Sequence, residues 1–537
     1  MASPRAFPVS FRPAALHRYL PNRAKFCLAS VVLLMAKATF AADDAASCAK
    51  LSAVSLPDAA VTSAEYVAAG AWKLPATARI PASAMQQIAK MPAFCRVAAT
   101  LKPSSDSDIR IEVWLPPSSL WNGRFEAIGN GGFAGSLTYS GMIQALIANY
   151  ATASTDTGHS GAMDEAVWAL GHPEKVVDFG SRAVHELTAK SKAIITSFYG
   201  SKAKYAYWNG CSEGGSQALS EAQLFPDDYD GILAGAPANY ITRLQTGGNW
   251  ISQAIHKNPA SFIPASKLTL INQAVVAACD LNDGVKDGVI ADPRTCHYDF
   301  APLQCKGAEA EDCLTEEQVA GLRKVYDGPK NPRTGDQLFP GLSRGGELDW
   351  RAWVVGTDVP PHNLQHRIQD SFFKDFVFQN PNWDWATLDF DKDVATADSK
   401  VGPVLNHISP DLHAFKARGG KMVQFHGWYD PAISPINSIN YFQSVQSAMG
   451  DTKDFYRLFM IPGMYHCAGG PGATEFDRLA TVVHWVEDGK IPDQVVAYHQ
   501  KEGVVDRTRP LCSFPRFAKY KGTGSTDDAA NYLCAKE

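Results

Sequence analysis

The sequence has no surplus of either charge and no internal repeat. Its 50 Lys and Arg residues stand against 55 Asp and Glu residues, which gives a formal net charge of −5. A surface that binds nucleic acid usually shows a clear excess of basic residues, so the charge balance gives no support to that class of partner. Without repeats or low-complexity segments, the chain is neither a solenoid nor a disordered protein. At 537 residues, a globular enzyme with one large domain and insertions, or with two domains, is expected.

An apolar run long enough to span a bilayer is also missing near the N-terminus. The run over residues 26–36 is too short for a transmembrane helix. Small residues follow it up to Ala41 and Ala42, and it is preceded by four basic residues, Arg5, Arg12, Arg23 and Lys25. This order is typical of a secretory signal peptide. We therefore expect residues 1–41 to be removed and the mature chain to be exported, periplasmic or extracellular, without a membrane anchor.

No Cys-x-x-Cys pair occurs, which argues against the common zinc sites. Once Cys27 leaves with the signal peptide, ten cysteines remain, and an even number in an exported chain favours disulfides. Short separations suggest three local bridges, Cys279–Cys296, Cys305–Cys313 and Cys512–Cys534. A Cys48–Cys95 bridge would tie down the N-terminus, and elimination leaves Cys211 and Cys467 as the fifth pair.

Strand-like and helix-like segments alternate over much of the chain. Strands are predicted over 109–115, 124–128, 150–155, 205–209 and 231–235, with helices over 181–199 and 215–224. The pattern stops near residue 239 and resumes with strands over 421–425 and 455–460 and helices over 438–448 and 475–487. We predict an α/β fold with a parallel sheet, built from a first core part (42–238), an inserted lid (239–404) and a second core part (405–537).

One turn in this pattern has the form of a nucleophile elbow. Gly210-x-Ser212-x-Gly214 lies between a predicted strand and a predicted helix, the context in which this motif presents a reactive serine. The alternative is a tight βα turn without reactivity. Asp430 and His466 each follow a later strand, so both are expected at the same edge of the sheet as Ser212. The chain order Ser, Asp, His is that of α/β-hydrolases.

Each of these residues also has a structural interpretation. Asp430 could cap a helix, and His466 could be an ordinary loop histidine. His159 and His426 are rival bases, which we interpret as structural or pocket-lining. An oxyanion hole needs two N–H donors, and the best candidates are the backbone of Glu213 and that of Gly132 in a glycine-rich loop. The Glu213 side chain could instead be a base, but its backbone explains its position.

Three motifs together resemble one family. Gly-Cys-Ser-Glu-Gly-Gly (210–215), His-Gly-x-x-Asp (426–430) and Pro-Gly-Met-x-His-Cys (462–467) resemble the tannase/feruloyl esterase family, which also includes mono(2-hydroxyethyl) terephthalate hydrolase. The resemblance extends over nearly the whole mature chain. It implies an α/β-hydrolase core with a lid, a Cys211–Cys467 disulfide, and a catalytic triad of Ser212, Asp430 and His466. It also implies a secreted serine esterase that acts on galloyl or feruloyl esters.

The resemblance changes the interpretation of an acidic segment at 279–290. Spacing alone favours a pair of Asp-Gly turns, because the glycines do not fit an EF-hand. Relatives in the family bind structural calcium here, which implies Ca²⁺ on the carboxylates of Asp280, Asp283 and Asp287 and the carbonyls of Val285 and Val289. We expect this ion to stabilise the fold without taking part in catalysis, and we expect no organic cofactor.

The lid is rich in aromatic residues, which together fit a flat aromatic acyl group: Trp350, Trp353, Phe372, Phe373, Phe376, Phe378, Trp383 and Trp385. No arginine lies between Arg367 and Arg418 to pair with a terephthalate carboxylate, which argues modestly against that substrate. Three lysines do lie in this segment, Lys374, Lys392 and Lys400, and they keep the question open. A terephthalate monoester hydrolase, a serine acyltransferase or peptidase, and a binding protein on an inactive scaffold are the alternatives. The choice among gallate, ferulate, chlorogenate and terephthalate esters stays open.

Overall fold

Nine strands form the central sheet of the computed structural model, which describes residues 43–356 and 363–536. The predicted signal peptide lies outside the described residues. In chain order the strands are β1 (Ala59–Val67), β2 (Phe94–Leu101), β3 (Ile109–Leu115), β4 (Arg124–Ile128), β5 (Ala151–Thr155), β6 (Tyr205–Cys211), β7 (Gly231–Gly235), β8 (Lys421–Gly427) and β9 (Tyr456–Ile461). Their order across the sheet is β1-β2-β3-β5-β4-β6-β7-β8-β9.

The sheet is mixed, so the parallel sheet that the alternation predicts forms only part of it. Strands β5, β4, β6, β7, β8 and β9 run parallel to one another, whereas β1, β2 and β3 pair antiparallel and β3 is antiparallel to β5. The connection from β2 to β3 is too short for a crossover helix, so these strands can pair only antiparallel. The parallel part brings the carboxyl ends of β6, β8 and β9 to one edge.

Helices cover both faces of the sheet, because successive side chains of each strand point to opposite sides. Val113 packs in one core with the helices Ala183–Tyr199, Glu213–Leu224 and Ile436–Met449. Its neighbour Trp114 packs in the other with the helices Tyr139–Ile147 and Arg478–Asp488. Shorter helices lie over 43–50 and at Ala82–Gln87 and Pro173–Val177. Two apolar layers around a sheet are the α/β architecture that the alternation predicts.

The segment between β7 and β8 is helical. Its α-helices are Ile241–His256, Leu268–Cys279, Glu316–Asp327, Leu364–Ser371, Lys392–Lys400, Gly402–Leu405 and His413–Ala417, and two π-helical turns lie at Arg351–Val355 and Phe372–Phe378. Within its described residues, strand pairing is limited to isolated bridges. The insertion therefore sits between two adjacent strands of the sheet, where the lid is predicted. The domain boundaries themselves stay predictions.

One helical stretch, Pro259–Asp283, is long and apolar enough by composition to cross a membrane. It consists of short turns followed by the helix Leu268–Cys279. One side of that helix packs into the protein core through Leu268, Ile271 and Val275. Partial burial of this kind is typical of an amphipathic helix on the surface of a folded domain.

Two small antiparallel sheets follow β9, which the sequence did not predict. They consist of β10 (Gln494–Lys501) with β11 (Val504–Cys512) and of β12 (Phe517–Tyr520) with β13 (Tyr532–Ala535). A disulfide between Cys512 and Cys534 joins the two hairpins.

All five predicted disulfides form. The bonded pairs are Cys48–Cys95, Cys211–Cys467, Cys279–Cys296, Cys305–Cys313 and Cys512–Cys534. Every cysteine of the described residues is thus paired, which is consistent with folding in an oxidising compartment. The Cys211–Cys467 pair spans 256 residues and connects the two parts of the core across the insertion.

Candidate active site

Ser212 lies in a strained turn between β6 and the helix Glu213–Leu224. Its backbone has φ 65° and ψ −119°, a conformation that side-chain-bearing residues rarely adopt. The flanking glycines make this turn possible: a Cβ on Gly210 would lie 2.3 Å from the carbonyl oxygen of Gly214, and one on Gly215 would lie 2.2 Å from that of Gly235. The motif thus forms the sharp elbow that it predicts, with Ser212 at its apex.

Asp430 and His466 meet at the ends of β8 and β9. The Nδ1 of His466 lies 2.7 Å from Oδ2 of Asp430, and Asp430 is 1% exposed. The other carboxylate oxygen accepts hydrogen bonds from the N–H groups of Ala432 at 2.8 Å and Ile433 at 2.9 Å. Asp430 therefore holds the imidazole and caps a turn at the same time.

The pKa of Asp430 lies well below its ordinary value. Burial alone would raise it, but the charge of His466 and the hydrogen bonds from His426 and His466 outweigh burial. Asp430 is accordingly a carboxylate at neutral pH. A fixed negative charge against Nδ1 is what a general-base histidine needs for orientation.

Ser212 and His466 line one cavity of about 250 Å³. The disulfide between their neighbours, Cys211 and Cys467, holds the two Cα atoms of the bridge 6.0 Å apart. Among the described residues, no hydrogen bond yet joins the Ser212 hydroxyl to His466. In hydrolases without substrate this contact is often long and tightens in the reactive complex.

Two backbone donors open onto the same cavity. Glu213 and Gly132 both line it, and within the described part of the chain neither N–H has a hydrogen-bond acceptor. Gly132 has φ 55°, and a Cβ there would lie 2.2 Å from the carbonyl oxygen of Met163, so only glycine fits. Free N–H groups beside a nucleophile are the requirement for an oxyanion hole.

The Glu213 side chain is poorly suited to be the base. It is 4% exposed, and burial raises its pKa well above the ordinary value for a glutamate. Burial disfavours the charged form, which is the form that a general base needs. His466, hydrogen-bonded to Asp430 and lining the same cavity as Ser212, is the better-placed candidate for proton transfer.

The two rival histidines lie outside the cavity lining. His159 stacks on Trp168 with ring centroids 3.7 Å apart, and its Nε2 lies 2.6 Å from the carbonyl oxygen of Phe133. Burial lowers the pKa of His159 to about 4, so it is neutral at physiological pH. His426 is fully buried behind Asp430. Neither is placed to take the Ser212 proton.

The cavity walls are almost entirely apolar. No Lys or Arg contributes to the lining among the described residues, and the only side-chain amides are those of Gln245 and Gln365, which approach each other to 3.4 Å. The apolar wall consists of Phe133, Met163, Ala238, Ile241, Leu244, Trp353, Ile368, Ala432 and Ile433. Ile241, Leu244 and Gln245 lie at i, i+3 and i+4 on the helix Ile241–His256. This spacing is visible in the sequence, but only the structure shows that it faces the cavity at Ser212.

Most of the aromatic residues of the lid do not line the cavity, which differs from the expectation that they form the acyl site together. Of the eight named, only Trp353 lines the cavity, with its ring 5.2 Å from that of His466. Phe372, Phe373 and Phe376 are buried in a cluster with Phe133 that attaches the insertion to the core. Their main role is packing because their rings are enclosed by other apolar side chains.

The acidic segment 280–289 turns its carboxylates toward protein partners. Asp280 accepts hydrogen bonds from the N–H groups of Asp287, Gly288 and Val289, and Asp287 pairs with Arg509 at 2.5 Å. Burial and the charges of Asp287 and Asp280 raise the pKa of Asp283 to about 6. In the described portion of the chain, no three His, Cys, Asp or Glu side chains converge as a metal site. The donors have the chemistry that Ca²⁺ prefers, but their side chains serve other contacts in this arrangement.

Comparison with known proteins gives a consistent result. The chain matches the family model of tannase and feruloyl esterase over residues 95–535. It is 37% identical to an uncharacterized esterase of Xanthomonas campestris, with 92% of each chain covered. It is 33% identical to the mono(2-hydroxyethyl) terephthalate hydrolase of Piscinibacter sakaiensis, over 88% of this chain and 89% of that one. The crystal structure of feruloyl esterase B from Aspergillus oryzae superposes with a TM-score of 0.83 at 31% identity, covering 92% of this chain and 100% of that chain.

Proposed function

Because the chain belongs to the tannase and feruloyl esterase family of carboxylic ester hydrolases, we propose that it hydrolyses small aromatic esters through an acyl-enzyme on Ser212. The observation that carries this proposal is the 2.7 Å bond between His466 and Asp430, beside a cavity that also exposes the strained Ser212. Galloyl and feruloyl esters are the proposed substrate class. Ser212, Asp430 and His466 are the proposed catalytic residues.

The reaction begins with attack of the Ser212 hydroxyl oxygen on the ester carbonyl carbon. His466 takes the hydroxyl proton at Nε2, while Asp430 holds Nδ1–H and stabilises the imidazolium. The N–H groups of Glu213 and Gly132 donate to the oxyanion of the tetrahedral intermediate. His466 then protonates the departing alcohol, and water attacks the acyl-enzyme by the same route to release the acid.

The cavity supports a neutral aromatic acyl group. Ring faces and aliphatic side chains suit a flat aromatic ring, and the two glutamine amides can bond to phenol, methoxy or carbonyl oxygens. Among the described residues, the lining offers no Lys or Arg to pair with a carboxylate buried there, and an unpaired buried charge costs several kcal/mol. The same cavity therefore disfavours a terephthalate monoester, which carries a negative charge.

A panel of methyl ferulate, methyl gallate, chlorogenate and terephthalate esters tests the substrate class. We expect kcat/KM for methyl ferulate or methyl gallate to exceed that for mono(2-hydroxyethyl) terephthalate by at least about 30-fold. Dimethyl and monomethyl terephthalate form a matched pair that differs only in the free carboxylate, and the neutral diester should react faster. A preference for the charged monoester would overturn the substrate assignment.

A serine acyltransferase or peptidase could use the same three residues. Product analysis with added alcohol, together with peptide substrates, separates these activities from hydrolysis. We expect the free acid as the main product in water. The family and the small, largely apolar cavity both favour an ester of a small molecule.

We also propose that the segment 280–289 binds a structural Ca²⁺ through Asp280, Asp283, Asp287 and the carbonyls of Val285 and Val289. Supporting this, three carboxylates crowd one loop, and their mutual charge is part of what raises the pKa of Asp283. Binding would require Asp287 to loosen its pair with Arg509, so the cation and the arginine compete for one carboxylate.

Calcium removal provides the test. We expect 1 mM EDTA to lower the melting temperature by several degrees and excess Ca²⁺ to restore it, because a ligand bound only to the folded state stabilises it. The variant Asp283→Asn should lose that response. An unchanged melting temperature with and without EDTA would contradict the calcium proposal and leave the loop held by contacts within the protein, such as the Asp287–Arg509 pair.

We propose that the mature chain is exported to the periplasm or the extracellular medium. Its support is the order of basic, apolar and small residues near the N-terminus together with five disulfides in the described residues. Disulfides persist in periplasmic and extracellular surroundings and are rare in the reducing cytosol.

A further inference from the structure

A second histidine, which does not line the cavity, contacts Asp430. His426 lies at the end of β8, is fully buried, and places its Nε2 3.1 Å from Oδ2 of Asp430. This is the oxygen that also holds Nδ1 of His466. One carboxylate oxygen thus lies between two imidazoles, a contact that the catalytic cycle described above does not use.

His426 is the last member of a buried hydrogen-bonded chain. Tyr456 donates its hydroxyl to Oε1 of Gln424, and Nε2 of Gln424 donates to the Ser438 hydroxyl at 2.6 Å. The Ser438 hydroxyl lies 2.7 Å from Nδ1 of His426. Tyr456, Gln424 and Ser438 each have an exposure of 0%. This series of hydrogen bonds therefore extends through the core from β9 to the Asp430 carboxylate without access to water.

The direction of these bonds fixes the tautomer of His426. Its Nε2 faces two acceptors, the Asp430 carboxylate and the carbonyl oxygen of Ile433 at 3.1 Å, so Nε2 carries the proton. Ser438 already accepts the amide proton of Gln424, so its own proton is directed to Nδ1 of His426. Every link in the series then donates toward Asp430.

We propose that His426, held in one tautomer by Ser438 and Gln424, is a positioning residue that orients Asp430 for catalysis. This inference rests on the proposed function, because Asp430 must be the acid of the triad for its orientation to matter. Two N–H donors from the backbone fix Oδ1, and His426 fixes the remaining freedom of Oδ2. Asp430 can then meet Nδ1 of His466 in one geometry only.

Replacing Ser438 or His426, the last two members of this hydrogen-bonded series, should lower kcat with little change in KM, because no member of the series lines the substrate cavity. We expect Ser438→Ala to reduce kcat about 10-fold and His426→Leu about 100-fold, the range for a lost hydrogen bond to a charged group. KM should stay within about 2-fold for both. Ser438→Thr retains the hydroxyl and should recover most of the lost kcat, and His426→Gln retains an N–H toward Asp430 and should outperform His426→Leu.

Thr188→Val is the matched control for loss of a buried hydroxyl. Thr188 is fully buried and bonds to the carbonyl oxygen of Val184 and to the hydroxyl of Tyr229, neither of which belongs to the series that ends at Asp430. We expect its kcat to stay within about 2-fold of the parent, while its melting temperature falls about as much as that of Ser438→Ala.

The possible outcomes separate this inference from the proposed function. If Ser212→Ala is inactive but Ser438→Ala and a folded His426→Leu both keep full kcat, the positioning role is wrong and the triad stands. If Ser212→Ala keeps full activity, the proposed function itself fails. If Thr188→Val loses as much kcat as Ser438→Ala, or Ser438→Thr gives no recovery, the effect is general destabilisation and the positioning role is again overturned.

Discussion

Replacing Asp430 with asparagine is expected to lower kcat by a factor on the order of 10³ to 10⁴, with KM nearly unchanged. Every contact of the Asp430 carboxylate comes from a donor: two backbone N–H groups at Oδ1 and two imidazoles at Oδ2. An amide of the same size must turn its NH₂ group toward one of these pairs. The pair of backbone N–H groups cannot adjust, so the NH₂ group faces the two histidines.

That orientation reverses the hydrogen bond to His466. The amide donates to Nδ1, so the ring proton moves to Nε2, and Nε2 can no longer accept the Ser212 proton. The loss of the negative charge also removes the stabilisation of the imidazolium. The size of the expected effect thus comes from two consequences of one substitution that hardly changes the shape of the site.

Steady-state kinetics with a methyl ester measures the effect of Asp430→Asn. Asp411→Asn is a suitable control because Asp411 also bonds to a histidine, His413 at 2.7 Å, but at an exposed surface position. The control should retain kcat within about 2-fold, as expected for an exposed pair. An Asp430→Asn enzyme that keeps more than about a tenth of the parent kcat would show that Asp430 does not act as the acid of a triad.

The second large effect is expected from removal of the Cys211–Cys467 disulfide. The bond joins the residue before Ser212 to the residue after His466, so it limits the relative movement of nucleophile and base. A change of 1 Å in such a pair can cost about 100-fold in rate. We expect the double variant Cys211→Ala/Cys467→Ala to lose kcat about 10- to 100-fold at a temperature where it remains folded.

The double variant Cys512→Ala/Cys534→Ala controls for loss of a bridge as such. That bond joins two C-terminal hairpins and closes only 22 residues, against 256 for Cys211–Cys467. Chain entropy assigns the two bridges about 3 and about 5 kcal/mol of stability, so both variants should melt earlier. Activity measured well below both melting temperatures should fall only in Cys211→Ala/Cys467→Ala. Equal losses of kcat would make the Cys211–Cys467 bond an ordinary stabilising bridge.

Local features of the sequence predicted much of the core. Strands at Ile109–Leu115, Arg124–Ile128 and Gly231–Gly235 have the bounds that their pattern indicates, because each is a short apolar or alternating run that ends at turn residues. The elbow followed from glycines that only a tight turn requires. The disulfide pairs followed from separations and from elimination, and all of them are present.

Features that depend on distant contacts were missed. Half of the residues of strand β10 are exposed, and polar residues stand at both of its ends, so it shows no regular alternation of apolar side chains. The antiparallel start of the sheet depends on pairing between β1, β2 and β3, which no local pattern specifies. The eight lid aromatics looked alike in sequence, and only the packing of the insertion on the core separates Trp353 from the buried phenylalanines. The hydrogen-bonded series from Tyr456 to His426 could not be predicted from the sequence either, because its members come from two strands and a helix.

The most direct test of the account is identification of the residue that becomes acylated. The protein is treated with a fluorophosphonate, and the labelled peptide is identified by mass spectrometry while residual esterase activity is followed in parallel. We predict a single adduct on Ser212, loss of activity in proportion to labelling, and neither labelling nor turnover in Ser212→Ala. An adduct at another residue that accounts for the inactivation, or full turnover by Ser212→Ala, would contradict the account.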